Sequence, residues 1–266
     1  MLRYSLDRYL EAGAQGADEG LAGHLRRAVA DRARFEAMVA AGAFELAYQP
    51  VVSLGDGRLH HFEALARFEP GASPAGAIRF AEELDLILGF DLAAAARVVR
   101  ALDAEPDARI AVNVSALSLM TPAFFEAFGA VAGLSAVSGR LMVEVTETQG
   151  LGDLERANAV IGDLRRRGCE VCLDDFGAGA ATLEYLRRLD VDYVKIDGRY
   201  VEEAEANPRD ALILKHLTAL CRDLSVKTIA ERVETDGTAA LLKGLGVDLA
   251  QGFAFSRPLS QPRWEG

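Results

Sequence analysis

The stretch Gly168-Cys169-Glu170-Val171-Cys172-Leu173-Asp174-Asp175-Phe176-Gly177-Ala178-Gly179 is apolar for most of its length and is broken at its end by two adjacent carboxylates and then by two glycines. This pattern describes a buried strand that delivers acid groups to the rim of a sheet. Such a rim suits a cation. Taken alone, Asp-Asp-Phe-Gly also fits a polar turn closing a strand. The pattern of an apolar strand ending in a carboxylate or amide recurs along the chain, however, and the recurrence favours the strand.

Before this stretch, residues 44–54 and 58–68 are strand-like and flank the hairpin turn Gly55-Asp56-Gly57. In the return strand Glu63, Leu65 and Arg67 share one face. Strict alternation sends His60 and His61 to opposite faces, so they are expected to be structural or solvent-facing and not joint ligands of one metal. Glu63 is different, because a carboxylate in an apolar strand costs several kcal/mol to bury unless it is paired or binds a metal.

After a Gly/Pro loop at 69–76, helical segments run to about Asp103, and a regular alternation begins. Strands are expected at 109–115 with Asn113, at 140–147 with Glu144 and Glu147, at the Asp174-Asp175 stretch, at 192–197 with Lys195, at 226–230 leading into Glu231, and at 248–255 with Gln251. Helices are expected between them at 122–136, 153–167, 182–189, 208–224 and 236–245. Strand-helix alternation predicts a parallel sheet with helices outside it. Six such strands after a hairpin fit an α/β barrel better than an open sheet, and no Gly-x-Gly-x-x-Gly loop suggests a dinucleotide fold.

The 266 residues suffice for one such barrel, and half of them are hydrophobic. A net charge of −11 argues against non-specific binding to a nucleic acid polymer or an anionic membrane. Three cysteines, Cys169, Cys172 and Cys221, are too few for a disulfide framework, and the Cys-x-x-Cys pair inside the apolar strand is expected to be core. The most apolar segment, 84–99, is interrupted by Asp85 and Asp91, so no membrane span is expected and a cytoplasmic location follows. A helix with apolar residues at Leu21, Leu25, Ala28, Phe35 and Val39 follows a Gly/Ala-rich segment, which sets the expected division into an N-terminal linker and helix at 1–40 and a barrel domain at 41–266.

In a barrel, polar groups at the carboxyl ends of strands converge on one rim. Glu63, Asn113, Glu144, Asp174, Asp175, Lys195, Glu231 and Gln251 would then face one another. So much like charge repels strongly without a cation. Oxygen ligands without clustered His or Cys suit Mg²⁺ or Mn²⁺, and adjacent Asp174 and Asp175 could hold two ions roughly 3.5–4 Å apart for a phosphate displacement. Lys195 and Arg67 are the cations that would meet the phosphate.

Tyr48-Gln49-Pro50, Glu63-Ala64-Leu65 with Arg67, Asn113-Val114-Ser115, Glu144-Val145-Thr146-Glu147, Asp174-Asp175-Phe176-Gly177, Lys195-Ile196-Asp197, Ala230-Glu231 with Val233-Glu234-Thr235, and Gln251-Gly252-Phe253 with Ser256-Arg257-Pro258-Leu259 together resemble the EAL (Glu-Ala-Leu) family of cyclic di-GMP phosphodiesterases. The resemblance covers about residues 44–259 in family order. It implies a modified TIM-type (β/α)8 barrel with an antiparallel first hairpin, which hydrolyses cyclic di-GMP to linear 5′-pGpG with two Mg²⁺ or Mn²⁺ per site and so lowers a bacterial second messenger. Glu63, Asn113, Glu144 and Asp174 would ligate the first metal, and Asp174 and Asp175 would serve the second. Glu231 would orient or deprotonate the attacking water and Lys195 would help position it. Glu147 would anchor the loop after Asp175, while Gln49, Leu65, Arg67, Glu234 and Gln251 would line the substrate site. A homodimer is implied as well. The helix at 21–39 is read as a cap on the domain, with the exit helix of an upstream sensory domain as the alternative.

The chain departs from the family pattern at Ala178-Gly179-Ala180-Ala181-Thr182, where Thr-Gly-Tyr-Ser-Ser is common, and at Arg232, where glycine is usual. The altered loop motivates an alternative, a non-catalytic or weakly catalytic cyclic di-GMP receptor that signals to a protein partner.

Overall fold

Eight strands close into a single barrel in sequence order, β1-β2-β3-β4-β5-β6-β7-β8. The computed structural model describes residues 20–68, 74–132, 137–146, 151–176 and 182–263. The hairpin strands β1 (Glu45–Ser53) and β2 (Leu59–Arg67) pair antiparallel, and β1 also closes antiparallel onto β8 (Leu249–Gln251). The others, β3 (Ile110–Ser115), β4 (Leu141–Thr146), β5 (Glu170–Phe176), β6 (Tyr193–Ile196) and β7 (Lys227–Ala230), are parallel to their neighbours. The expected barrel with an antiparallel first hairpin is the fold observed.

Local sequence explains where the outer helices begin and end. After α1 (Gly20–Ala41), α2 (Pro74–Glu83) and α3 (Ile87–Ala104), the short α4 (Ala116–Leu119) is capped by the Ser115 side chain, which accepts from Leu117 N. After α5 (Phe124–Ala132), the carboxylate of Asp153 caps α6 (Leu154–Arg166), whose acidic first turn and basic last turn match the helix dipole. Then come α7 (Thr182–Arg188), α8 (Gly198–Ala206), α9 (Pro208–Asp223) and α10 (Asp236–Leu245). Asn207 caps α9 with proline at its start, and α10 runs from the Thr235 cap to Gly246 at φ 88°, a left-handed closure that glycine adopts without strain.

The first helix, expected from Leu21, runs over Gly20–Ala41, and Phe35 on its second half packs its ring 6.1 and 6.2 Å from those of Phe80 and Phe90. One point differs from expectation. A separate helix, α8, follows β6 directly and was not foreseen. Its start rests on Asp197, whose side chain accepts from Arg199 N.

Inside the barrel, Val51, Ala111, Met142, Cys172, Tyr193, Ile229 and Leu249 form a continuous buried layer. Fully burying an Ile or Met contributes about 1.5–3 kcal/mol, so this layer is a firm floor beneath the polar mouth. All three cysteines are buried and free, as expected. Among the described residues, no helix is long and apolar enough to cross a membrane.

Candidate active site

Strand ends carry the acid groups, and pairing of the strands brings them together. Asn113 sits beside Glu144 in the β3–β4 register, and Glu63 pairs with Gln49 across the hairpin. At the centre, Lys195 from β6 places Nζ 3.1 Å from Glu63 Oε2, 3.1 Å from Glu144 Oε2, 3.2 Å from Asp174 Oδ1 and 2.7 Å from Glu231 Oε1. The Lys195 side chain is only 1% exposed. Glu63 also accepts from Asn113 Nδ2 at 2.9 Å and from Gln251 Nε2 at 2.7 Å, and Gln251 Nε2 reaches Gln49 Oε1 at 3.2 Å.

Asp174 and Asp175 are sequence neighbours, and in an unbroken strand they would point to opposite faces. The β5–β6 register shifts between Leu173 and Phe176, and Asp175 takes a left-handed backbone at φ 53°. This irregularity turns both carboxylates to the mouth, the kind of strain that functional sites hold. Asp174, Asp175 and Glu231 each offer a carboxylate oxygen, all within 4.8 Å of one another.

A second bulge corrects the strict alternation expected at the histidines, while the structural one of their two readings holds. His60 is an extra residue in β2, between Val51↔His61 and Val52↔Leu59, so alternation fails there. His61 is fully buried and His60 half-buried, with their Nδ1 atoms 2.8 Å apart. Neither is solvent-facing on an outer strand face.

The electrostatics follow from one ammonium among several carboxylates. Burial opposes charge on Lys195, yet Asp174, Glu144, Glu231 and Glu63 hold its pKa well above the usual lysine range. Burial also acts to raise Glu63, but Lys195 and the two amide donors outweigh it and the group is held ionised. Glu144 goes the other way: burial, with repulsion from Glu63 and Asp174, raises it well above the carboxylate range despite Lys195. Burial likewise pushes Glu231 up to about 7, with Asp174 and Glu63 adding to it against Lys195. Partial burial and the Asp174 and Asp197 carboxylates raise Asp175.

The loop that carries Glu231 is pinned to β8. Val233 N donates to Gln251 O and Ala254 N to Val233 O, each at 3.0 Å, and a Cβ on Gly252 would lie 2.0 Å from Val233 O. Only glycine permits that approach. Next to Glu231, Arg232 sits at φ 56°, a conformation that glycine takes more easily, and it pairs with Glu202 at 2.6 Å.

Around this centre, a cavity of about 690 Å³ is lined by Glu63, Leu65, Arg67, Asn113, Asp174 and Asp175 among others. A smaller one of about 300 Å³ shares Glu63, Leu65, Asp174 and Asp175 and adds Gln49, Lys195, Glu231, Glu234 and Gln251. Arg67 is not bonded to the acid cluster; it donates to Ala66 O and faces the larger cavity. Glu147 and the altered loop at 178–181 lie outside the described residues.

The sequence did not single out Glu82 and Asp91. Both are buried in the wall of the larger cavity: Ser115 Oγ donates to Glu82 Oε1 at 2.7 Å, and Ser115 N donates to Asp91 Oδ2 at 3.0 Å. Acidic residues within two apolar helices were the available signal.

The EAL domain family model matches residues 31–258. The chain belongs to the EAL domain family. It is 35% identical over 227 residues to the cyclic di-GMP phosphodiesterase NbdA of Pseudomonas aeruginosa, covering 81% of this chain and 29% of that protein. It is 32% identical over 223 residues to the cyclic di-GMP phosphodiesterase PdeB of Shewanella oneidensis, covering 80% of this chain and 26% of that protein. The chain thus spans under a third of the length of these two relatives. Among solved structures it is similar to the PaMucR phosphodiesterase in complex with c-di-GMP, at 31% identity and a TM-score of 0.71, covering 88% of this chain and 95% of that one.

Proposed function

We propose that this EAL domain hydrolyses one phosphodiester of cyclic di-GMP to linear 5′-pGpG at the barrel mouth. The observation that carries the proposal is the convergence of Glu63, Glu144, Asp174 and Glu231, from separate strand ends, within 3.2 Å of Lys195 Nζ. Membership of the family and the named phosphodiesterases among its relatives support it.

The residues fit a divalent cation. Asp174 Oδ1 is buried and accepts no hydrogen bond, although it lies 3.2 Å from Lys195 Nζ, and the donors are all oxygen. Glu63, Asn113, Glu144 and Asp174 would hold one Mg²⁺ or Mn²⁺, and Asp174 and Asp175 a second. Bound divalent ions supply a more acidic water and charge neutralisation at the phosphate oxygens.

The chain's own groups do the rest. Glu231, with its carboxyl pushed up to about 7 chiefly by burial, is matched to accepting a proton from the attacking water near neutral pH. Lys195 holds that carboxylate in place at 2.7 Å. As the water oxygen bonds to phosphorus, the P–O3′ bond breaks, and the water's proton ends on the departing 3′ oxygen. Gln49, Leu65, Arg67, Glu234 and Gln251 bind and orient the nucleotide, with Arg67 meeting a phosphate.

Incubating the purified protein with cyclic di-GMP and Mg²⁺ or Mn²⁺ tests the proposal, with pGpG the expected product. Tight binding without product would establish the receptor instead and overturn the enzyme.

A further inference from the structure

Beneath the acid cluster, a line of polar side chains crosses the barrel interior to its opposite end. His61 Nδ1 is 2.8 Å from His60 Nδ1, and His60 Nε2 is 3.4 Å from both Arg109 Nη1 and Tyr193 Oη. Arg109 and Tyr193 both meet Glu170 at the start of β5. At the upper end His61 Nε2 faces Glu144 Oε1 at 3.8 Å. Both of these atoms are buried and neither has a hydrogen-bond partner.

The chemistry of the line sets its direction. A guanidinium can only donate, so His60 Nε2 accepts from Arg109. A neutral imidazole has one N–H, which on His60 must then be on Nδ1. His61 Nδ1 accepts that proton, which leaves the N–H of His61 on Nε2, the atom aimed at Glu144. Glu144 Oε2 is already held by Lys195 at 3.1 Å from the other side.

We propose that His61 is a positioning residue for Glu144: its Nε2–H donates to Glu144 Oε1 and fixes the carboxylate so that Oε2 faces the centre of the mouth. The hydrogen bond rests on two unpartnered buried atoms that face each other and would close from 3.8 Å to hydrogen-bond distance, and on the direction that Arg109 sets along the line. Its consequence for metal affinity rests on Glu144 being a metal ligand, as in the function proposed above. Partners of ligating carboxylates orient the ligand, and their loss typically weakens metal binding about 10- to 100-fold.

Two readouts keep these levels apart. Two-bond ¹H–¹⁵N correlation spectra of the metal-free protein report the tautomer, and the expected result is protonated Nε2 and bare Nδ1 on His61. Protonated Nδ1 overturns the proposal whatever the metal does. Arg109→Met, at the far and partly exposed end of the line, is expected to erode the Nε2–H preference; an unchanged tautomer would sever Arg109 from the argument and count against it. Mn²⁺ titration followed by electron paramagnetic resonance is the second readout. His61→Phe is expected to weaken Mn²⁺ about 10- to 100-fold while His61→Gln, which retains a donor, recovers most of the loss. Equal Mn²⁺ affinity in wild type and His61→Phe overturns the positioning role. A wild-type protein that takes up no Mn²⁺ yet carries the Nε2–H tautomer supports the hydrogen bond and instead overturns the metal-centre reading of the mouth.

Discussion

Lys195 Nζ lies 2.7 Å from Glu231 Oε1, nearer than to any of the other three carboxylates around it. One buried ammonium therefore both offsets part of the cluster's negative charge and holds the residue proposed to take the proton. Removing one partner of a buried ionic group leaves the others uncompensated and typically costs about 3–5 kcal/mol. Lys195→Met is expected to lose about that much stability in urea unfolding with chelator present, and to regain part of it with Mn²⁺. A loss below about 1 kcal/mol would contradict the central role of the ammonium.

Glu231→Gln keeps the side chain's shape but cannot accept the water's proton. General-base loss typically costs about 10²- to 10⁴-fold, so pGpG formation should fall by at least about 100-fold with cyclic di-GMP binding retained. Glu63→Ala should also abolish turnover while the fold persists, read by circular dichroism. Wild-type turnover in either variant would refute the assigned roles.

Calcium should inhibit. Its oxygen ligands sit at about 2.3–2.6 Å in loose geometry, against about 2.0–2.1 Å in the octahedron of magnesium, so the attacking water would be misplaced. Product assays with each divalent ion supplied alone decide this, and undiminished turnover with Ca²⁺ would count against the two-metal mechanism.

Asp91 gives the fold a pH dependence independent of any metal. Burial, with Glu82 beside it, pushes its pKa to about 7 against hydrogen bonds from Ser118 and Ser115, from an ordinary 3.8. Between those values the folded protein binds a proton that the unfolded chain releases, so stability falls as pH rises through the window. The slope from this group is at most about 1.4 kcal/mol per pH unit. Asp91→Asn keeps the acceptor for Ser115 N and should flatten the decline between pH 4 and 7 in denaturant titrations. An unchanged slope would show that Asp91 is not the source.

Asp175→Asn should leave the backbone in place, since asparagine tolerates the left-handed region found at φ 53°. It removes like charge next to Asp174 and Asp197, so the metal-free protein should become more stable while Mn²⁺ affinity drops. The paired measurement is unfolding in chelator and Mn²⁺ titration. A variant that binds Mn²⁺ as well as wild type would remove Asp175 from the second metal site.

By itself the sequence determined the order of strands and helices, the antiparallel opening hairpin and the acid or amide at each successive strand end, because periodicity, turn residues and caps are local properties. The helix Gly198–Ala206 escaped notice because it follows β6 without a loop and buries only Gly198, Val201 and Ala204 of its own length. Tertiary structure alone decided how neighbours in sequence share a face. Bulges at His60 and at Asp174-Asp175 arise from pairing with β1 and β6, and strict alternation cannot foretell them. The enclosure of Lys195 by four carboxylates is likewise a property of barrel closure, since those carboxylates lie 21 to 132 residues from Lys195 along the chain and meet it only when the strands become neighbours.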